Sequence, residues 1–220
     1  MVISQKRLTA LKCVLGLDCS KYQKDITWNK ARLAGIRFAF MKLTEGTTIY
    51  EGDVLNLKAR VLSAKGNGIK IGYYHFAQPG NVAVPEDDAM AEIVNIKSHL
   101  TQLPVANFPL VLDLEVYSSS DIWTNKAEHM DRFINTFIAN FPSIIIYSNK
   151  SFLDVNTAHG YGAWPLWIAA YPIYPEVSLP RIPLEWTDWS IWQFTEKGQV
   201  NGYIGDIDLD IMKINFFNRF

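Results

Sequence analysis

The chain has 220 residues, 49% of them hydrophobic and 20% charged, with a formal net charge of -1. That balance excludes the basic excess with which nucleic-acid binders neutralise phosphates, and it gives no attraction to an anionic membrane surface. No apolar run approaches the ~20 residues that cross a bilayer, so membrane insertion is not expected.

Residues 1–12 are read as a short N-terminal extension and residues 13–220 as one domain. Lys6 and Arg7 precede a mildly apolar stretch that Lys12 interrupts, and no small-residue cleavage site follows. That pattern is not a secretory signal, so synthesis in the cytoplasm as an uncleaved chain is expected, with action on the cell wall after lysis or specialised export. Cys13 and Cys19 lie beyond disulfide reach if the chain between them is extended at ~3.3 Å per residue, so both are expected as thiols. The four histidines and two cysteines show no ligand spacing, and no metal or other cofactor is expected.

In chain order, short and nearly continuous apolar runs predict strands at Val14–Asp18, Phe38–Leu43, Lys70–Phe76, Leu110–Glu115, Ile144–Ser148, Leu166–Ala170, Ser190–Phe194 and Ile207–Ile211. Such runs suit parallel strands buried on both faces. Helices are predicted between the earlier ones. Val54–Lys65 repeats apolar residues at helical spacing and stops at Gly66, and Pro85–Leu100 opens on a proline and three acids. Thr124–Phe141 places Met130, Phe133, Ile134, Phe137, Ile138 and Phe141 on one stripe, and Pro142 closes it. Alternating strands and helices imply right-handed βα units. About eight strands and five helices make a single-domain α/β fold, a TIM-like barrel with an irregular final third.

Barrel active sites form at the C-terminal ends of the strands. Acids fall there in three of the predicted strands: Asp18 in the first, Asp113 and Glu115 in the fourth, Asp208 and Asp210 in the last. Residues i and i+2 of a strand share a face, so Asp113 and Glu115 should point together, with Leu112 and Leu114 opposite. Barrel closure would bring Asp18 beside Asp208 or Asp210. Clustered, desolvated carboxyls hold protons to higher pH, so one can act as a general acid while another stabilises positive charge. Glycosidic cleavage asks for that division. A lone Asp-x-Glu also serves as a helix cap, a magnesium ligand or a salt-bridge partner, and only the company of the other acids shifts the reading towards catalysis.

Aromatic residues crowd the same regions: Tyr22, Tyr73, Tyr74, Tyr117, Trp123, Trp164, Trp167, Tyr171, Trp189 and Trp192. Aromatic platforms suit the flat C–H faces of sugars, although any single one reads equally as core. Their concentration with His75, Gln193 and the acids favours a carbohydrate cleft.

These residues resemble glycoside hydrolase family 25, the lysozymes (N-acetylmuramidases) of the Chalaropsis type. The likeness runs in order from Leu15 to Phe217: the block from Gly16 to Gly46, then GYYHFA at Gly72–Ala77, the acidic pair, Tyr147–Asn149, LWIAAY at Leu166–Tyr171, WQF at Trp192–Phe194 and DLD at Asp208–Asp210. The resemblance implies an incomplete (β/α) barrel in 13–220 that hydrolyses the β-1,4 bond between N-acetylmuramic acid and N-acetylglucosamine in peptidoglycan. It implies Glu115 as general acid and Asp113 as stabiliser of a substrate-assisted intermediate or as direct nucleophile. Asp18 and Asp208 complete the acidic floor, and Tyr74, Lys42, His75, Trp167, Tyr171, Gln193 and Asp210 bind or orient the sugar. The expected partners are peptidoglycan glycan strands, met as a monomer. Cys19 departs from the small or β-branched residue usual in the family.

Two alternatives stand beside this reading: a barrel glycosidase acting on another N-acetylated glycan such as chitin, and a catalytically silent glycan-binding barrel. A metal-dependent hydrolase would want histidines beside the acids, and only His75 sits at a strand end. The missing leader fits a phage endolysin released through a separate pore, or a bacterial enzyme exported by a specialised route. No C-terminal wall-binding repeat is expected.

Overall fold

The computed structural model describes residues 3–48, 54–158 and 160–220. Its eight strands are β1 (Cys13–Cys19), β2 (Ile36–Glu45), β3 (Lys70–Phe76), β4 (Leu110–Asp113), β5 (Ile144–Asn149), β6 (Leu166–Ala169), β7 (Ile191–Gly198) and β8 (Ile207–Lys213). They close a barrel in chain order. Neighbours from β1 to β7 run parallel, as the alternation with helices predicts, but β8 runs antiparallel to both β7 and β1. The reason is the connection. Only residues 199–206 separate β7 from β8, fewer than the dozen or so a parallel crossover needs, so the chain must return as a hairpin.

The helices are α1 (Gln5–Leu11), α2 (Trp28–Leu33), α3 (Val54–Gly66), α4 (Pro85–Leu100), α5 (Lys126–Asn140), α6 (Lys150–Asn156) and α7 (Ile214–Phe217). The three long predicted helices are α3, α4 and α5, with ends shifted by at most two residues. The other four described helices have seven residues or fewer, too short to display a 3.6-residue period. One lies in the N-terminal extension. Ser4 Oγ accepts from Arg7 N at 3.1 Å at the start of α1, and Lys12 ends it in the left-handed region at φ 52°. Ile3 and Leu8 are buried against the barrel, so this segment is ordered by packing.

Alternation along the strands divides the apolar residues into two cores. Outward-facing Leu17, Ile71, Leu112, Leu114, Ile146, Ile168, Trp192 and Leu209 pack against the helices. Inward-facing Phe38, Phe40, Val111, Ile145, Trp167, Ile191 and Met212 fill the lower lumen, plugged from below by Phe108 and Phe216. Two glycines make that filling possible. A Cβ on Gly16 would lie 2.3 Å from the Phe38 ring, and one on Gly72 would lie 2.1 Å from the Phe40 ring. Above this aromatic layer the inward positions turn polar.

Candidate active site

The acids arrive at the top of the lumen by strand register. Antiparallel pairing of β1 with β8 sets Asp18 directly opposite Asp208 and Gly16 opposite Asp210. β4 ends at Asp113, so Glu115 stands just beyond the strand rather than within it. The chain nevertheless stays extended there, because Leu114 N donates to Tyr147 O at 2.9 Å and Ser148 Oγ donates to Leu114 O at 2.5 Å. Leu112 and Leu114 are therefore buried outside the barrel, and Asp113 and Glu115 meet on the other side.

Burial, above all, pushes the Asp113 carboxyl well above the usual range, and the neighbouring Glu115 adds to it. Burial also raises Glu115, while a hydrogen bond from Asp113 and the Lys42 ammonium partly offset the rise. Asp113 Oδ1 is buried with no conventional donor. A proton shared by the two carboxyls relieves their repulsion, and the stronger burial of Asp113 favours holding it there. Lys42 is held in place by Glu45 at 2.7 Å and by the Phe76 ring, whose centroid is 4.2 Å away.

A second acid cluster faces this pair. Burial first, then the nearby Asp18, raises Asp208 to about 9. Asp18 is raised by burial and by Asp210, against which Gln193 Nε2 donates a hydrogen bond of 2.6 Å. Asp210 is fully buried and raised by burial and Asp208, while Trp167 Nε1 donates to it at 2.9 Å. Its second oxygen lacks a conventional donor. Hydrogen bonds run from Asp208 to Asp18 and from Asp18 to Asp210, so protons shared between acids satisfy oxygens that would otherwise be buried bare.

Gln193 ties the site together. Its Oε1 accepts from Tyr147 Oη at 2.8 Å and from Tyr171 Oη at 2.5 Å while its amide holds Asp18. Trp167 lies beneath, 4.8 Å from the Tyr147 ring and 4.7 Å from the Phe40 ring, and separates the polar mouth from the dry lumen. Tyr74 lines the cleft between the two acid groups, and burial and the fields of Asp18 and Asp113 keep its hydroxyl protonated. The volume of the cleft is about 140 Å³.

Ten of the sequence-expected site residues come together here: Asp18, Asp113, Glu115, Asp208, Asp210, Lys42, Tyr74, Trp167, Tyr171 and Gln193. His75 does not. It is wholly buried outside the barrel, its Nδ1 hydrogen-bonded to Thr44 Oγ1 at 2.8 Å and its Nε2 to Glu92 Oε2 at 2.6 Å, with the ring stacked on Phe137. The physical reason is alternation: Tyr74 and His75 are consecutive on β3 and cannot both face inward. Two cleft residues were not expected, Tyr147 and Glu196. Tyr147 was legible, since it sits one residue after an inward-facing isoleucine's successor on β5, two positions from Ile145. Glu196 follows a register shift in β7, which no sequence period reveals. Of the other aromatics, Trp123 and Trp192 are core, their indole N–H groups satisfied by Val82 O and Ala170 O.

Both cysteines are thiols on the outer face of β1, and burial lifts Cys13 to about 12, which leaves it unreactive. Among the described residues no group of three or more His, Cys, Asp or Glu has the arrangement to hold a metal ion, and no helix is long and apolar enough to cross a membrane.

A closed α/β barrel whose mouth holds proton-sharing carboxyls between tyrosines and a tryptophan has the make-up of a barrel glycosidase. Residues 17–203 match the family model described as Glycosyl hydrolases family 25. The chain belongs to that family. It is 30% identical to lysozyme M1 of Streptomyces globisporus over 89% of this chain and 66% of the relative, so it spans about two thirds of that protein's length. It is 29% identical to the N,O-diacetylmuramidase of Chalaropsis sp. over 89% of this chain and 96% of the relative. The crystal structure of the bacterial lysozyme from Streptomyces coelicolor superposes with a TM-score of 0.73 at 28% identity, covering 90% of this chain and 91% of that one.

Proposed function

We propose that this chain is a lysozyme that hydrolyses the β-1,4 bond between N-acetylmuramic acid and N-acetylglucosamine in peptidoglycan. The observation that carries the reading is the Asp113–Glu115 pair at the mouth of the barrel, Asp113 buried and Glu115 half-buried, with Lys42 beside it. The names of the relatives point to the same substrate.

In this reading Glu115 protonates the departing glycosidic oxygen as the C1–O bond breaks. The acetamido oxygen of the muramic acid attacks C1 and forms an oxazolinium, and its N–H hydrogen-bonds to Asp113. That bond favours the ionised form of Asp113 and so leaves the shared proton on Glu115, where the leaving group needs it. Water then attacks C1, the bond from C1 to the acetamido oxygen breaks and restores the acetamido group, and Glu115, now a carboxylate, takes the proton of the water. Trp167 and Tyr171 contact the sugar, Tyr74 and Gln193 orient its polar groups, and Asp18 and Asp208 form the acidic floor beneath it.

The deciding experiment is digestion of defined peptidoglycan followed by mass spectrometry of the new reducing ends. Muramic-acid ends are expected. Glucosamine ends, or cleavage of chitin in preference to peptidoglycan, would overturn the assignment.

A further inference from the structure

A second groove lies on the catalytic face, outside the acid-lined cleft. It runs between the loop that follows β1 and the hairpin that joins β7 to β8, and its volume is about 510 Å³, larger than that of the cleft. Both walls spring from strands that carry cleft acids, Asp18 on β1 and Asp208 on β8. The two walls are fastened to each other. Thr27 N donates to Gly202 O at 2.7 Å, and Gly202 adopts φ +108° with so little space that a Cβ would lie 2.6 Å from Thr27 O. Trp28 and Ile26 are buried beneath the first wall. The groove is therefore a fixed feature of the fold.

Its chemistry is opposite to that of the cleft. Lys24 and Lys30 line it against a single carboxylate, Asp25, with the rings of Tyr22 and Tyr203 and the fully exposed Ile204 at the rim. The cleft a few residues away holds Asp18, Asp113, Asp208 and Glu196.

We propose that this groove receives the carboxylate-bearing peptide carried by the glycan strand, while the cleft takes the sugars. The inference rests on the peptidoglycan reading above and extends it to a part of the substrate that the cleft cannot hold. The carboxyls and hydroxyls of the cleft suit an uncharged sugar, and among the described residues its lining offers an anionic peptide no cation. The lysine-bearing groove offers that peptide opposite charge on the same face, and the tyrosines and Ile204 offer apolar contact to its short side chains. The volume lies in the range of sites that bind ligands of this size.

The test compares two substrates, glycan strands with their peptides and the same strands after enzymatic removal of the peptides. The wild-type chain should show a lower KM for the peptide-bearing strands, and added salt should narrow the difference. In a Lys24→Glu, Lys30→Glu variant the preference should fall by roughly fivefold, the scale of two exposed charge contacts, with kcat unmoved. Tyr203→Ala should lower the preference in the same direction without any change of charge. Equal KM values for both substrates in the wild type, or an unaltered preference in the charge-reversed variant, would overturn the groove's role while leaving the lysozyme reading intact. If the wild type cleaves neither substrate, the lysozyme reading fails and this inference fails with it.

Discussion

The lower and upper halves of the barrel lumen are built by the same strands and by the same alternation, yet they obey opposite rules. Below, Phe38, Phe40, Phe108 and Met212 pack without polar atoms. Above, one or two residues further along the same strands, Asp18, Lys42, Tyr74, Asp113, Tyr147, Gln193 and Asp210 are buried together. Desolvating that many polar groups costs stability, and only shared protons and the hydrogen bonds of Gln193 and Trp167 limit the cost. The comparison separates a region that stabilises the fold from one that the fold tolerates for its chemistry.

The largest expected effect tests the upper half. Glu115→Gln removes the proposed proton donor and should lower kcat by roughly 10³-fold, the middle of the range for a general acid, with the melting temperature preserved or raised. Turnover near the wild-type value would mean that another group supplies the proton.

The lower half should answer in the opposite way. Phe108→Ala opens a cavity at the floor of the lumen and should cost about 3 kcal/mol, a drop of roughly 10 °C in melting temperature. At temperatures where the variant stays folded its kcat should remain within about twofold of wild type, since Trp167 still separates the cavity from the mouth. A proportionate fall in kcat at low temperature would show that the two halves are coupled.

His75 belongs to neither half. His75→Ala should cost about 2 kcal/mol by leaving Glu92 and Thr44 without their buried partner, measured by denaturant unfolding. KM for the glycan should stay unchanged. A raised KM would return His75 to the substrate site.

The smallest effect concerns pH. Folded Asp208 keeps its proton up to about pH 9, whereas in the unfolded chain an aspartate releases its proton near ~3.9. Its contribution to stability is therefore fully present below about pH 4 and is lost as the pH rises towards 9, since the folded state binds the extra proton across that window. Asp208→Asn should flatten this slope and raise the melting temperature by a few degrees at pH 8, at the expense of activity. A wild-type melting temperature that climbs from pH 5 to pH 8 would contradict the shared-proton arrangement.

Much of this was legible in the residues. The period of two placed Asp113 with Glu115, and barrel closure placed Asp18 beside Asp208. The same period, applied to Tyr74 and His75, would have removed His75 from the site. Composition alone could not place Trp123, because an aromatic side chain reads the same whether it packs in a core or lines a cleft, while Trp192 is core as the reading of any single tryptophan favoured. Glu196 was hidden by a register shift, and α1 was hidden by its length.

The sequence by itself determined the alternation of strands and helices, the ordered motifs of the family and the inventory of acids, because those depend on local periodicity and residue chemistry. Only the tertiary structure decided which acid shares a proton with which, that β8 returns antiparallel, and that Gln193 bridges three elements. Those outcomes depend on distances between residues far apart in the chain, 175 positions in the case of Asp18 and Gln193. The pair Asp113 and Glu115 is visible in any reading of the chain. Its protonation is a property of the closed barrel, because desolvation and neighbouring charge exist only once the strands have met.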